Sequence, residues 1–314
     1  MSITCTPVPE RFLPTSIPAD DLMTPALSID MVAVRHNIER VLDAIGDPSC
    51  WRPHLKTTKL PAIWSLLLEA GIERFKCATT LEMQTLLQIA PESDILFAHH
   101  PSPAALRRIS DLADAHPLAR LSVLVETCEA VAALPDGVDG FLDLNSGMNR
   151  TGIPMTDGNR IDMVACACGD RWRGLHFYEG HLKGGEEASR RNRAHAAFDL
   201  LLDVDRGLGG AAEIITSGTP TFLHALSHAA LVGTMRHAVS PGTVVLHDGI
   251  SSRLPEIERL GLTPAAVVLA HVVSQPCDHV VTVNAGHKSV SVDAGAPCCT
   301  VLEYDNLVPL HPSE

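Results

Sequence analysis

The feature that most constrains the fold of this chain is a regular alternation, along its first two thirds, of short β-rich apolar runs with amphipathic helical stretches. Strands are expected over Ala26–Ile29, Trp51–Leu55, Ile72–Cys77, Asp94–Ala98, Leu121–Val125, Gly140–Leu144, Trp172–Phe177 and Glu213–Thr216. Between them, helices are expected over Val32–Ile45 (Val34, Ile38, Val41 and Leu42 on one face), Ile63–Ala70, Leu81–Ile89, Ala104–Ala115 and Glu186–Leu208. Strands that each lead into a helix bury both faces of a parallel sheet, and such units in about 210 residues fit a (β/α)8 TIM-type barrel, usually about 250 residues. A doubly wound sheet is the alternative. No Gly-x-Gly-x-x-Gly follows the first strand, so a dinucleotide site is not expected.

Beyond Pro241-Gly242 the texture changes to valine-rich, strand-like runs with little helix between them: Thr243–His247, Ala265–Val273, His279–Asn284, Lys288–Val292 and Thr300–Tyr304. The composition therefore predicts an N-terminal extension over 1–23, a barrel over 24–237 and a β-rich domain over 238–314. A net charge of −13 with scattered Lys and Arg excludes a nucleic-acid partner, since no basic stripe exists to displace counterions from phosphates. The first twenty residues lack an apolar core, and no run of about 18 apolar residues occurs, so a soluble, cytoplasmic protein with a small-molecule ligand is expected. Nine cysteines, an odd number, do not suggest a disulfide framework; Cys166-x-Cys168 and Cys298-Cys299 read as small buried hydrophobes rather than metal ligands.

In a barrel of this kind the chemistry sits on the loops that follow the strands. Lys56, in Arg52-Pro-His-Leu-Lys-Thr-Thr-Lys59, follows the second expected strand. Flanked by Arg52, His54 and Lys59, its ammonium would lose a proton easily, and a neutral amine can hold an aldehyde cofactor. Asn145-Ser-Gly-Met-Asn-Arg150-Thr-Gly152 follows the sixth expected strand, where the glycines let the backbone and Arg150 approach a ligand. Tyr178-Glu-Gly-His181 follows the seventh, with His181 placed for proton transfer. Ser217-Gly218-Thr219-Pro-Thr221 follows the eighth, as a small-residue cradle for phosphate. The adjacent His99 and His100 point to different sides of an extended chain and do not chelate well together.

These segments, with Cys77-Ala-Thr-Thr-Leu-Glu82 and Asn284-Ala-Gly-His-Lys288, resemble the D-threonine aldolase and D-serine dehydratase family, pyridoxal-phosphate enzymes of the alanine-racemase fold type. The resemblance runs from Thr24 to Glu314. It implies an N-terminal barrel, a C-terminal β domain and a homodimer. It also implies that Lys56 is the Schiff-base lysine, Tyr178 a tyrosine beside the cofactor, Arg150 the arginine near its ring, and Ser217, Gly218 and Thr219 the phosphate loop. Thr58 departs from the family's Lys-Thr-His-Lys pattern. The family's divalent-metal pair (for zinc or manganese) follows a Ser-Glu-Glu-His segment, so the resemblance places those ligands beyond Ser313-Glu314.

The activity implied is pyridoxal-phosphate-dependent cleavage of a D-3-hydroxy amino acid to glycine and an aldehyde, or its dehydration to a 2-oxo acid and ammonia. A cofactor-binding inactive homologue is the alternative; carriers of this fold type lack a second domain, which the Thr243–Tyr304 segment here supplies. A barrel metal hydrolase would place His-x-His after the first strand, where Asp30, Met31 and Val32 stand instead.

Overall fold

Helix starts along the chain are set by short polar side chains that take up free backbone N–H groups. In the computed structural model, Asp30 accepts from the amides of Val32 and Ala33, and Thr79, Ser102 and Thr127 each accept from one amide of the helix they precede. The structure describes residues 9–14, 17–18, 21–291, 298–302 and 307–310. Its elements are β1 (Ala26–Ile29), α1 (Met31–Ile45), α2 (Pro61–Glu69), β2 (Arg74–Cys77), α3 (Thr80–Ile89), β3 (Asp94–Phe97), α4 (Pro103–Ala115), β4 (Arg120–Val125), α5 (Cys128–Ala132) and β5 (Val138–Asn145). There follow β6 (Ile153–Pro154), α6 (Gly158–Cys168), β7 (Trp172–Phe177), α7 (Glu187–Gly207), β8 (Glu213–Thr216), α8 (Phe222–Leu226), β9 (His237–Val239), α9 (Pro255–Glu258), β10 (Ala266–Leu269), β11 (Val272–Cys277) and β12 (Val280–Val283).

Strands β2-β3-β4-β5-β7-β8-β9 form one parallel sheet in that order, with β6 appended to β5. Residues 51–54 close it into a barrel, because Trp51 bridges Val239 and His54 bridges Lys76, both in parallel. The closing hydrogen bonds run from Arg52 N to Val239 O and from Lys76 N to Pro53 O, each 2.9 Å.

The expected first barrel strand is therefore not in the barrel. Ala26–Ile29 pairs antiparallel with β10, in register Ala26 with Leu269. Its residues are half-covered, with Leu27 65% exposed, whereas β3 and β8 are buried throughout. That difference is what separates an outlying strand from one covered on both faces. The missing eighth strand is β9, three residues between a turn and Ser240-Pro241, too short to carry a periodic signal. Every functional loop consequently follows a barrel strand one place earlier than expected: Arg150 the fifth, Tyr178 the sixth, Ser217 the seventh.

The barrel interior is layered. Its floor is ionic: Arg52, fully buried, donates from Nε and Nη2 to both oxygens of Glu213 at 3.0 Å and from Nη1 to Asp94 Oδ1 at 3.0 Å. Arg173 joins Asp94 at 2.9 Å, and Arg74 reaches Glu213 at 3.3 Å. The middle layer is four apolar side chains, Leu96, Leu124, Phe141 and Ile215, separate from the large core packed between sheet and helices. The top layer is polar and carries Lys76, Asp143 and His176.

Among the other expected strands, Thr243–His247 is instead a 3-10 turn over Thr243–Val245, and Ala265–Val273 is divided between β10 and β11. His279–Asn284 contains β12. Residues 288–291 form no strand, with a turn over 287–289, and Val292 and Tyr304 lie outside the described residues. Asn284 Nδ2 donates to Thr24 O at 2.9 Å, fastening β12 to the start of β1. No helix among the described residues is long and apolar enough to cross a membrane.

Candidate active site

Lys56 lies on the 3-10 turn Leu55–Thr57 that leaves the first barrel strand at its C-terminal end, the face where barrel enzymes place their chemistry. The turn is pinned from below: Thr58, buried, accepts from Trp64 Nε1 at 2.8 Å and donates to Leu55 O at 3.3 Å. The position where the family pattern has histidine is thus used here to hold the turn. The Lys56 side chain is exposed, and its pKa is lowered, first by lost hydration in the mouth and then by Arg150, with Glu82 opposing.

The neighbours expected to activate Lys56 are engaged elsewhere. Arg52 is locked in the ionic floor, and Lys59 donates to Glu82 Oε1 at 2.5 Å, with Glu82 also accepting from Ala78 N at 2.7 Å. Only His54 faces the same layer, and its pKa lies well below the ordinary histidine range through burial and then the charges of Lys76 and Lys56. The cation that bears on Lys56 is Arg150, from the loop after β5.

Arg150 is exposed and lays its guanidinium over the Tyr178 ring, 4.9 Å from the centroid. Burial raises the Tyr178 pKa, with Arg150 opposing. The other side of the tyrosine rests on the phosphate-loop candidate, where a Cβ on Gly218 would lie 3.0 Å from Tyr178 Cε2. Ser217 takes a left-handed conformation (φ 64°), a strain that a non-glycine residue adopts only where its surroundings impose it. Its amide is spent on Glu179: Ser217 N donates to Glu179 Oε2 at 3.3 Å and Thr221 Oγ1 to Oε1 at 2.6 Å. Glu179 is fully buried, and burial raises its pKa against those hydrogen bonds.

Thr219 Oγ1 meets Thr243 Oγ1 at 2.7 Å, bringing the Gly242-Thr243 turn into the same place. A Cβ on Gly242 would lie 2.8 Å from His54 O. Bare backbone at Gly218 and Gly242, a guanidinium and an accessible amine together suit a small anionic aldehyde. Gly242 was not anticipated from the sequence; its signal was a Pro-Gly pair just past a short strand.

His181 is exposed, with its ring 3.7 Å from where a Gly147 Cβ would stand, so it sits at the lip of the mouth opposite the Asn145–Arg150 loop. The buried titratable groups lie deeper, and the part played by Lys76 and Asp143 was not anticipated. Lys76 Nζ donates to His176 Nε2 at 2.9 Å, and His176 Nδ1 donates to Asp143 Oδ1 at 2.7 Å. A lysine inside Phe75-Lys-Cys77 and a histidine inside Leu175-His-Phe177, polar residues centred in apolar strands, were the available signal. A shallow recess beside them is lined by Asp143, Leu144, Ser146, Met148, Arg150, Thr151 and Tyr178.

Cys168 is buried, with burial raising its pKa to about 11, but Cys166 and Cys299 are exposed, contrary to the expectation for these pairs. Among the described residues no group of three or more His, Cys, Asp or Glu is placed to hold a metal ion. Ser313-Glu314, on which the metal expectation rests, lies outside the described residues.

A D-threonine aldolase from an Arthrobacter species is 25% identical to this chain over 307 residues, covering 90% of the chain and 78% of that protein. The crystal structure of D-threonine aldolase from Filomicrobium marinum superposes with a TM-score of 0.75 at 24% identity, covering 89% of this chain and 78% of that one. D-threo-3-hydroxyaspartate dehydratase from Delftia sp. HT23 superposes with a TM-score of 0.72 at 22% identity, covering 87% and 74%. These structures share the fold. Residues 29–246, more than half of the chain, match the family model for the alanine racemase N-terminal domain, and the chain belongs to that family.

Proposed function

We propose that this protein is a pyridoxal-phosphate-dependent lyase acting on D-3-hydroxy amino acids, with retro-aldol cleavage of the D-threonine type as its reaction. The observation that carries the proposal is the convergence on one barrel mouth of an accessible lysine of lowered pKa, an arginine stacked on Tyr178, and bare backbone at Gly218 and Gly242. The similarity to a D-threonine aldolase along most of both chains supports it. Bound there, pyridoxal phosphate supplies the electron sink for the pair left at the substrate's Cα.

Each residue has a definable task. Lys56 is the amine that holds the aldehyde, and its lowered pKa leaves more of it neutral at physiological pH. The amides of Gly218 and Thr219 would hold the phosphate, since neither donates to a backbone or side-chain acceptor among the described residues, whereas Ser217 keeps its amide on Glu179 and braces the loop. Tyr178, held between Arg150 and Gly218, would stand beside the cofactor, with Arg150 bracing the tyrosine. His181 at the lip is placed to exchange protons with the substrate.

Dehydration to a 2-oxo acid and ammonia is the second reading, favoured by the likeness to D-threo-3-hydroxyaspartate dehydratase. A homodimer belongs to the same proposal; the exposed valines of the β11–β12 hairpin, Val272, Val273 and Val283, give it a surface to bury. So does a divalent metal, tested by loss of turnover in chelator and its return with zinc or manganese.

The decisive experiment traps the cofactor. Borohydride treatment of protein loaded with pyridoxal phosphate, followed by peptide mapping, is expected to place the adduct on Lys56, and Lys56→Ala is expected to bind no coloured cofactor. An adduct on Lys76 instead, or a colourless wild-type protein in excess cofactor, would overturn the assignment. Product analysis with D-threonine and D-serine then separates glycine and aldehyde from 2-oxo acid and ammonia.

A further inference from the structure

We propose that Lys76, His176, Asp143 and His100 form a proton relay that carries a proton released at the barrel mouth out to Glu126 at the surface. The inference rests on the reading of the mouth as a site for D-3-hydroxy amino acids, whose cleavage takes the proton of the β-hydroxyl and returns one to Cα, so each proton the relay exports is matched by one drawn from solvent at Cα.

The inner half of the relay is continuous. Lys76 and His176 are each 3% exposed, and the chain Lys76 Nζ to His176 Nε2 to Asp143 Oδ1 has lengths of 2.9 and 2.7 Å. An ionised carboxylate only accepts, so Nδ1 of His176 carries the hydrogen and Nε2 is left as the acceptor for the lysine. Burial alone would raise the Asp143 pKa; the nearby His100 and His176 imidazoles outweigh it and hold the carboxyl well below its ordinary range.

The outer half is two buried atoms without partners. Asp143 Oδ2 and His100 Nε2 make no hydrogen bond although both are buried, and they face each other at 3.6 Å. His100 Nε2 lies 3.7 Å from Glu126 Oε2, and both of those side chains reach solvent. Leaving a buried polar atom unpaired is costly, so two that face each other across a gap just beyond hydrogen-bond length mark a link that a small turn of the His100 ring or one water completes.

A purely structural buried lysine would be paired with a carboxylate. This one is paired with a neutral imidazole, an arrangement that leaves the ammonium uncompensated. Burial, followed by the charge of Lys56, brings the Lys76 pKa down to about 7, with Arg52 acting in the same sense and Asp143 and Glu179 opposing. His54 faces it from the first strand, His176 and Tyr178 from β7 and its loop, with the Tyr178 ring centroid 5.9 Å from Nζ. Arg150 bears on the His176 end. The His176 pKa is itself lowered to about 4, by burial and then by Lys76, so the imidazole is neutral and open to a proton only in passing.

In operation the neutral Lys76 Nζ accepts a proton and becomes an ammonium. One of its hydrogens moves to His176 Nε2 as the Nδ1 hydrogen moves to Asp143 Oδ1; that carboxylic hydrogen, brought to the Oδ2 side by rotation of the carboxyl group, passes to His100 Nε2 and on to Glu126, and a flip of the His176 ring restores the starting tautomer. Only N–H and O–H bonds change, and one proton leaves for each that enters. Lys76 acts through its neighbours rather than on a reacting carbon.

The test has two arms. On the full chain as purified, labelled with 15N-lysine, one amine is expected to titrate near pH 7, to vanish in Lys76→Met and to shift to lower pH in Asp143→Asn, since the carboxylate that opposes the lowering is gone. With D-threonine, kcat is expected to rise with pH through that same midpoint. Lys76→Met and Lys76→Arg should each lose that limb and roughly 10²-fold in kcat, with KM and cofactor binding within about threefold of wild type. Lys76→Arg keeps the charge and the donor but cannot release the proton, so it separates relay from structure. A Lys76 that titrates above pH 10 with the surface lysines, or a Lys76→Arg variant with the wild-type pH profile, would overturn the relay. If no D-3-hydroxy amino acid is turned over, the functional reading falls, and the titration and its Asp143→Asn shift still decide the relay.

Discussion

At the scale of single residues, the site divides its two lysines by burial. Lys56 stands on a turn, open to an incoming aldehyde, and Lys76 lies beneath the same mouth, closed off and hydrogen-bonded to His176. The glycines of the mouth are divided as sharply. Gly218 does not need a left-handed backbone, so its requirement for glycine comes from space alone: a Cβ there would press on Tyr178 Cε2 at 3.0 Å. Gly218→Val is therefore expected to displace the tyrosine and weaken pyridoxal phosphate binding by roughly tenfold or more, about 1.4 kcal/mol, while lowering Tm only slightly. Cofactor titration and thermal melting on one preparation check this. Wild-type affinity in that variant would remove the loop after β8 from the cofactor site.

At the scale of elements, most of the barrel was legible because a buried parallel strand is a short apolar run and its helix is amphipathic with a capping residue before it. Helices α1, α3 and α4 begin within one residue of their expected starts, where Asp30, Thr79 and Ser102 mark them. Illegible were the elements decided by distant partners. Ala26–Ile29 reads like any other strand until β10, more than two hundred residues later, claims it. His237–Val239 is strand only because Trp51 and β8 lie on either side. Lys56, Arg150, Tyr178 and the Ser217–Thr219 loop could be assembled from their place after strands, whereas the Lys76–His176 contact joins residues 100 apart in sequence and needed the register of two non-adjacent strands.

The ionic floor has the same long-range character, and Arg52, expected to flank Lys56, is its centre. Arg52→Met would strip the bidentate partner from Glu213 and one partner from Asp94, leaving Arg74 and Arg173 to compensate in part. We expect a loss of about 3 kcal/mol in urea unfolding, partly recovered by adding Glu213→Gln, which removes the orphaned charge. A loss below about 1 kcal/mol, or additive effects in the double variant, would show that the floor is not a coupled network.

At the scale of the whole molecule, burying neutral histidines sets how the fold responds to acid. His176 and His237 are each almost wholly buried, 3% exposed, and burial lowers both pKa values to about 4, against about 6.5 in an unfolded chain. Between those values the unfolded chain binds more protons than the folded one. The stability these groups contribute is thus complete above pH 6.5, declines as pH falls toward 4, and is absent below that. His54, lowered in the same direction, adds to the decline. Each histidine accounts for a slope of up to about 1.4 kcal/mol per pH unit, so the unfolding free energy is expected to fall by several kcal/mol between pH 6.5 and 4.5. His237 is outside the proposed site, and among the described residues its ring bonds only Thr216 Oγ1, at 2.8 Å, which makes it the clean probe. His237→Gln should cost about 1 kcal/mol at pH 7 and lose the slope of one proton between pH 6.5 and 4.5. Urea unfolding across that range measures both quantities, and a wild-type stability that is flat there would mean that these histidines are already charged in the folded protein.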